Sequence, residues 1–349
     1  MNFKPFFLPI GIGSMPYRDP YKACETILHY FPESPYWPQL PSRGVKEGML
    51  AQFSEGTPGL VLDDERTYFR TPFNPASEWE KFYEVSQEGN EERFGIGKEY
   101  ASGLHAMFEL LKDKRPKMVK GQVTGPITFG LGVLDEKKLP ILYEPNLKEM
   151  LLKTIALRAR WQEKEFKRIV PDAETLIFLD EPVLSGYGSI SMNLGKQEIV
   201  ECLKTCISLL RGLSGTHICG ATDWSVVIES GINVIHFDAV RFFPNILAYA
   251  SELKGFLLNG GFLAWGIVPS EEEFLREETT PNLVASLEEK IHLLVKEGIP
   301  EGVLINNSFI SQSCGLAGVS EDLAEKALRL TTELSAIMRK RFDIAAING

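Results

Sequence analysis

The chain has 349 residues, 24% of them charged and 44% hydrophobic, which is enough apolar material for one large domain or two medium ones. Its formal net charge of −10 argues against nucleic acid as a partner, and no apolar run reaches the roughly 20 residues of a membrane span. Five cysteines without the spacing of a disulfide framework, and a first segment without the layout of a secretory signal, predict a cytoplasmic protein.

The first half of the chain predicts four short strands separated by helices. An apolar run at residues 6–13 contains a glycine-rich turn at its end, and further extended runs follow at 36–40, 118–123 and 176–180. Helical patterns occupy 19–30, 77–88, 96–111 and 146–169. Residues 43–74 have an irregular, mixed-charge pattern, so we expect an inserted lid or cap there.

The second half alternates regularly between strand and helix. Apolar strands are predicted at 215–219, 234–238, 262–268 and 303–307, each followed by a helix. Continuous apolar strands are typical of a parallel sheet covered by helices. Eight of them predict an α/β fold, a single (β/α)8 TIM barrel over residues 1–349. A doubly wound open sheet is the alternative, but the chain lacks the glycine-rich dinucleotide fingerprint.

Two metal-binding side chains close the fifth predicted strand. His217 and Cys219 are two residues apart, so an extended backbone points them to the same side, and imidazole and thiolate both bind zinc. Either could also be a packed core residue. Active sites of barrels lie at the carboxyl ends of the strands. Asp238 ends the sixth strand and Cys314 follows the eighth, so the four side chains converge and predict a zinc site.

Other residues reach the same face of the predicted barrel. Asp180 ends the fourth strand and Ser14 follows the first. Asp238 could instead cap a helix or pair with Arg241. His236 shares the strand face of Asp238 but lies deeper in the barrel, where we expect a packed group rather than a ligand.

The predicted ligand set favours one kind of chemistry. One histidine, two cysteines and a carboxylate can hold Zn²⁺ tetrahedrally with one position replaceable. An incoming thiol at that position is stabilised as a thiolate, the better nucleophile, whereas a bound water would be activated for hydrolysis. Because two thiolate ligands make the metal a poorer water activator, the set favours thiol activation.

Five segments together carry a family resemblance. They are Ile12-Gly13-Ser14-Met15-Pro16, residues 119–128, Asp180-Glu181-Pro182, His217 with Cys219, and Ser313-Cys314-Gly315. Their order resembles the catalytic barrel of cobalamin-independent methionine synthase. The superfamily of that enzyme includes methylcobamide:coenzyme M methyltransferases and uroporphyrinogen decarboxylase.

The resemblance implies a zinc site and a substrate site. Zinc would be bound by His217, Cys219 and Cys314, with a carboxylate in the fourth position, for which Asp238 is the candidate. The family also binds an amino-acid thiol, and Asp180 would be a catalytic residue toward it. The residues of that substrate site would be Ile12, Gly13, Ser14, Asp180 and Glu181.

Several positions depart from the family pattern. The folate-stacking Trp falls at Gly132, the folate-contacting carboxylate falls at about Gly186, and the proton-donating His is missing from residues 265–270. The Glu that grips the homocysteine amino group has no match at residues 49–53, and the family's second, N-terminal barrel has no room in this chain. We therefore expect a methylcorrinoid, free or on a partner protein, rather than folate as the methyl donor.

The predicted function is a zinc-dependent methyltransferase that moves a methyl group to a zinc-activated thiol, either homocysteine or a related small thiol. A uroporphyrinogen decarboxylase-like enzyme is one alternative, but it would hold a polycarboxylate with cationic groups, and the predicted strand ends offer His, Cys and Asp. A zinc protein that binds a thiol without turnover is the other, since the family's proton donor is missing. Measured metal content separates the methyltransferase from the decarboxylase-like enzyme, and an assay of methyl transfer separates it from the thiol-binding protein.

Overall fold

The computed structural model describes residues 3–63, 66–70, 76–87, 91–188 and 192–348. Its strands are β1 Leu8–Pro9, β2 Leu60–Leu62, β3 Thr67–Phe69, β4 Met118–Thr124, β5 Leu134–Asp135, β6 Glu174–Asp180, β7 Leu213–Ile218, β8 Val234–Asp238, β9 Phe262–Val268 and β10 Ser308–Gln312. Its helices are α1 Pro20–Tyr30, α2 Ala76–Gln87, α3 Ser102–Leu110, α4 Pro126–Gly132, α5 Pro145–Ile169, α6 Lys196–Ile207, α7 Trp224–Glu229, α8 Phe243–Leu247, α9 Ala250–Leu258, α10 Glu272–Glu277, α11 Thr280–Lys296, α12 Glu301–Asn306 and α13 Glu321–Asn348. No helix in these ranges is both long enough and apolar enough to cross a membrane.

Seven strands form one parallel sheet in the order β1-β10-β9-β8-β7-β6-β4. Every residue of β4, β7, β8, β9 and β10 is buried, and helices α5, α11 and α13 pack against the strands. The prediction of an α/β fold with a covered parallel sheet is therefore confirmed. Because all seven strands run the same way, their carboxyl ends lie at one edge of the sheet.

The stretch predicted as the second strand, residues 36–40, forms single bridges rather than a ladder. Tyr36 bridges Lys120 of β4, and Gln39 bridges Ser14, which follows β1. Both bridges are parallel, so the segment touches the two edge strands of the sheet. The structure thus establishes seven ladder strands, and the closed eight-stranded barrel stays a prediction.

The prediction of the last strand at residues 303–307 was wrong. Helix α12 occupies Glu301–Asn306, directly after Pro300 at its N-cap, and the strand β10 begins at Ser308. The apolar run Val303–Ile305 is too short for its period to separate a strand from a buried helix. The predicted strand thus lies about one strand length too early in the chain. The actual strand, β10, ends at Gln312, two residues before Cys314.

The side chains on one face of the sheet form two layers, an apolar layer and, nearer the carboxyl ends of the strands, a polar layer. The apolar layer consists of Leu8, Ile10, Met118, Leu176, Phe178, Leu213, Val234, Phe262, Ala264 and Phe309. Toward the carboxyl edge the register pairs Thr124 with Asp180, Asp180 with His217, and His217 with His236. Polar groups on four neighbouring strands are thereby placed side by side, and they form the floor of the site.

The stretch predicted as a lid, residues 43–74, is irregular as expected. Short 3-10 turns at Pro41–Arg43, Val45–Glu47 and Ala51–Phe53 precede a small sheet with the order β2-β3-β5. Residues 64–65 and 71–74 of the predicted lid lie outside the described residues. The role of this stretch as a lid stays a prediction.

Candidate metal centre

His217, Cys219 and Cys314 come together at the carboxyl edge of the sheet. His217 lies near the end of β7, Cys219 directly follows that strand, and Cys314 follows β10. One ligand atom from each residue lies within 4.8 Å of those of the other two, and His217 Nε2 is 3.6 Å from Cys314 Sγ. Within the described part of the chain, no other three His, Cys, Asp or Glu side chains are grouped this closely.

The spacing of these three ligand atoms suits zinc. Zn–S bonds of about 2.3 Å and Zn–N bonds of about 2.0 Å place tetrahedral ligand atoms roughly 3.5–3.8 Å apart. The His217–Cys314 distance of 3.6 Å already has this value, and separations up to 4.8 Å need only a small inward rotation of a side chain. The three residues therefore fit a zinc ion with one position left for another ligand.

A second histidine fixes the tautomer of His217. The Nδ1 atoms of His217 and His236 are 2.8 Å apart, and Nε2 of His236 lies 3.0 Å from the carbonyl oxygen of Gln312. Because a carbonyl only accepts, this network puts the proton of His236 on Nε2, and its Nδ1 then accepts the proton of His217. The lone pair of His217 is left on Nε2, the atom nearest Cys314. Zinc-ligating histidines commonly donate their other ring N–H in this way.

The two thiols influence each other strongly. Hydrogen bonds from Cys314 and His217 lower the pKa of Cys219, while the neighbouring Cys219 thiolate and burial raise the pKa of Cys314. Protein groups alone thus stabilise one thiolate of the pair at the expense of the other. A bound cation would stabilise both, which is the chemistry expected of a thiolate metal site.

Asp238, the predicted fourth ligand, is not grouped with His217, Cys219 and Cys314 in the structure. Its Oδ1 accepts hydrogen bonds from the backbone N–H groups of Val240 and Arg241, and its Oδ2 lies 2.9 Å from Arg241 Nε. The reason lies in the turn after β8, whose backbone N–H groups and Arg241 side chain occupy both carboxylate oxygens. Asp238 thus takes the capping and pairing role and stands outside the ligand group.

A cavity of about 320 Å³ opens beside the three ligands. It is lined by Ile12, Ser14, Gln39, Pro41, Glu47, Met49, Asp180, Pro182, His217, Cys219, Cys314, Gly315 and Ala317. This volume suits a small amino acid, and the wall offers two carboxylates, Glu47 and Asp180, as well as the two thiols.

Asp180 faces this cavity with an unused oxygen. The residue is 5% exposed, and within the described part of the chain its buried Oδ1 has no hydrogen-bond partner. Burial raises the pKa of Asp180, and the positive charge of the buried Lys120 opposes that rise. Lys120 itself donates to the Ile12 carbonyl at 2.8 Å and to Gln122 at 3.1 Å. Asp180 is therefore free to bind a donor in the cavity.

Glu181, predicted to bind substrate, points to another part of the molecule. Its Oε1 accepts from the backbone N–H of Ile127, and its Oε2 accepts from the N–H and the hydroxyl of Thr128. The carboxylate thereby holds the start of α4, and burial raises its pKa to about 7. Glu181 was predicted in the substrate site as part of the Asp180-Glu181-Pro182 segment of the family resemblance, but successive residues at a strand end face opposite sides.

The loop after β1 lies along the cavity, and its role in substrate binding stays a prediction. Ile12 and Ser14 line the cavity, and the Ser14 carbonyl accepts from Leu316 N at 2.8 Å, which ties the loop to the Cys314 segment. Gly13 has a φ of +145°, and a Cβ there would lie 2.7 Å from Gln39 Oε1. Gly13 therefore shapes the loop and offers no side chain to a substrate.

Sequence reasoning missed Glu47 as a residue of this site. Its Oε1 accepts from Arg43 Nε at 2.7 Å and from the Ser102 hydroxyl at 2.6 Å, while its Oε2 is buried without a partner. The residue is 4% exposed, lines the cavity, and has a pKa raised by burial. Glu47 lies two residues before Met49, just outside residues 49–53, where the family's Glu was expected. The irregular pattern around it gave no signal.

Comparison with known proteins supports the fold. No family model matches the chain, and no curated protein is similar to it in sequence. A solved structure of a B12-independent methionine synthase from a Shewanella species, in complex with selenomethionine, is similar over 96% of this chain and 99% of that chain. The TM-score is 0.60 and the sequence identity 12%, so the likeness shows a methionine synthase-like fold. That protein is a methyltransferase by its name.

Proposed function

We propose that the protein is a zinc-dependent methyltransferase that transfers a methyl group to the sulfur of a small amino-acid thiol such as homocysteine. The observation that carries the proposal is the grouping of His217, Cys219 and Cys314 within 4.8 Å of one another beside a cavity of amino-acid size. The proposal includes a barrel closed by residues 36–39 and a cytoplasmic location.

The chain's own residues would divide the work between metal and substrate. His217, Cys219 and Cys314 would hold the ion and leave one position on the cavity side. When bound, zinc keeps the acceptor sulfur a thiolate at neutral pH, the form that attacks a methyl group. The hydrogen bond from His217 to His236 keeps the His217 lone pair available for this purpose.

Two carboxylates would position the amino acid. The unpartnered Oε2 of Glu47 and Oδ1 of Asp180 are both buried at the cavity, and an ammonium group supplies the donors that they lack. Such charge-assisted hydrogen bonds are about twice as strong as neutral ones. The Ser14 hydroxyl, which lines the cavity, would donate to the substrate carboxylate.

We propose a methylcorrinoid rather than folate as the donor. Gly132 stands where the family has its pterin-stacking Trp, and a glycine supplies no ring for stacking. Gly186 likewise lacks the family's carboxylate. Loss of stacking and of a polar partner costs on the order of 1–3 kcal/mol each.

The decarboxylase alternative finds little support in the cavity. Of the described residues that line it, none is an arginine or a lysine, and two are carboxylates with unpartnered oxygens. A polycarboxylate substrate would meet repulsion there. The lining favours a cationic amino group instead.

Two measurements test the proposal. The purified protein should contain about one zinc per chain, as expected of a single four-coordinate site, and should methylate homocysteine from methylcobalamin faster than from methyltetrahydrofolate. A zinc-free protein would overturn the metal assignment. A zinc protein that binds homocysteine but turns over with neither donor is a thiol-binding protein, and turnover with folate alone would refute the corrinoid donor.

A further inference from the structure

A second cavity, of about 320 Å³, lies away from the metal centre between α2, α5, the turn Glu91–Phe94 and the loop 55–58. It is lined by Glu55, Gly56, Thr57, Pro58, Lys81, Phe82, Val85, Arg93, Phe94, Thr154 and Arg158. None of these residues lines the catalytic cavity. Any ligand here would thus bind independently of the zinc site.

Arg158 of α5 is a buried cation with unused donors at this cavity. It is 2% exposed, and its Nη2 donates to the Glu55 carbonyl and lies 3.4 Å from the Thr57 hydroxyl. Its Nε and Nη1 atoms are buried and have no hydrogen-bond partner among the residues that the structure describes. Burial lowers the pKa of Arg158 to about 10, so the group is still charged at neutral pH. Unpaired donors on a buried charge cost free energy unless an acceptor binds them.

Two more cations stand at the rim of the same cavity. Lys81 and Arg93 are exposed, and among the described residues neither forms an ion pair with a carboxylate. Glu55 is the only carboxylate among the described lining residues, and one of its oxygens already accepts from Gly97 N at 2.6 Å. The cavity is therefore cationic in a protein whose net charge is −10. Such a cavity concentrates small anions.

We propose that this cavity binds the oxyanion group, phosphate or carboxylate, of a small molecule. Arg158 would donate its unpartnered N–H groups to the oxyanion, and Lys81 and Arg93 would add positive charge at the entrance. Arginine is suited to this role because its guanidinium offers several fixed donors to one oxyanion. The rings of Phe82 and Phe94 would contact an apolar part of the ligand.

The test is thermal unfolding of the zinc-loaded full chain, titrated with inorganic phosphate, pyrophosphate or citrate at constant ionic strength. At least one of the three should raise the midpoint in a saturable manner, since a ligand that binds only the native state stabilises it. The two phosphate probes and citrate separate a phosphate site from a carboxylate site. No saturable shift with any of them would overturn the proposal.

Variants locate the binding. Arg158→Gln should weaken it about tenfold to a hundredfold, the change that loss of hydrogen bonds to a charged group produces. If Arg158→Gln does not fold, the double variant Lys81→Ala/Arg93→Ala changes only exposed side chains and should weaken binding severalfold. Lys340→Ala, an exposed lysine on α13, is the charge-matched control and should leave the shift unchanged. Equal shifts in the site variants and the wild type would overturn the proposal, and zinc content should not change in any of them.

Discussion

The two walls of the cavity beside His217, Cys219 and Cys314 are built in different ways. The strand wall, Asp180, His217, Cys219 and Cys314, lies at or just past the ends of β6, β7 and β10, which belong to one parallel sheet. The turn wall consists of Pro41, Glu47 and Met49. Pro41 and Glu47 belong to short 3-10 turns, and Met49 follows the second turn after Gly48. The ligands thus rest on a ladder of backbone hydrogen bonds, whereas Glu47 is fixed mainly by Arg43 and Ser102.

The two kinds of wall suit two different tasks, metal binding and substrate binding. A metal site needs ligand atoms held to within a few tenths of an ångström, and strands provide that precision. A substrate amino group tolerates more variation, and a turn can change without disturbing the ligands. We therefore expect that substitutions of His217, Cys219 and Cys314 in the strand wall change metal binding, while substitutions in the turn wall change substrate binding alone.

The largest effect is expected from the ligands themselves. His217→Ala, Cys219→Ala and Cys314→Ala should each reduce zinc from about one per chain to nearly none, because a site with two protein ligands binds zinc weakly. Methyl transfer should fall with the metal, while the midpoint of thermal unfolding in the presence of chelator stays near that of the metal-free wild type. Elemental analysis of purified variants measures the zinc.

Cys202→Ala is the matched control for the cysteine variants. Cys202 is buried on α6, and its substitution should leave the zinc content at the wild-type value. A Cys314→Ala protein that retains stoichiometric zinc would contradict the assigned ligands.

Glu47→Gln tests the turn wall and should give the next largest effect. The neutral amide cannot attract an ammonium group, so homocysteine should bind about ten- to a hundredfold more weakly, as expected for loss of a hydrogen bond to a charged group. Zinc content should be unchanged. The desamino analogue 4-mercaptobutyrate has no amino group, so its affinity should not fall. Titration calorimetry with both thiols decides, and equal weakening of both would place Glu47 in a purely structural role.

The regular part of the fold was predictable from the sequence, and the irregular part was not. Six of the eight predicted strands overlap ladder strands because buried parallel strands read as continuous apolar runs. Residues 36–40 contain Pro38, which cannot donate to a strand ladder, and form only two bridges, while residues 303–306 of the last predicted strand are helical. A short apolar run does not reveal its partner or its period, so these two cases could not be decided from the chain alone.

The candidate site was likewise predictable where its residues lie at strand ends and unpredictable where they lie on turns. The convergence of His217, Cys219 and Cys314 followed from their places at strand ends, which a parallel sheet brings to one edge. Asp238 stands outside this group because its oxygens bind the backbone N–H groups of the following turn and the Arg241 side chain, contacts that a strand-end position does not reveal. Glu47 was missed because a 3-10 turn has no sequence period that predicts which way a side chain faces.

His236 offers a finer test of the strand wall. His236→Leu removes the acceptor for His217 Nδ1, so His217 can turn or take the wrong tautomer, and zinc affinity should fall about ten- to a hundredfold. Competition with a chelator of known affinity measures this. His236→Gln retains an oxygen that can accept from His217 and should recover part of the affinity. Unchanged affinity in His236→Leu would show that the sheet alone orients His217.

The smallest effect on the metal is expected for Asp238→Asn, and it decides whether the ligand set ends at three protein side chains. The asparagine oxygen can still accept from the N–H groups of Val240 and Arg241, which the Asp238 Oδ1 binds at 2.9 Å. What is lost is the ion pair with Arg241, whose side chain is 41% exposed and also contacts Glu271. That loss should lower the free energy of unfolding by about 1 kcal/mol, the usual size for a partly exposed pair and its hydrogen bond. Zinc affinity should equal that of the wild type, because neither carboxylate oxygen is available to the ion. A tenfold loss of zinc affinity in Asp238→Asn, measured by chelator competition, would mean that the carboxylate leaves Arg241 and joins the metal, and the strand wall would then hold all four ligands.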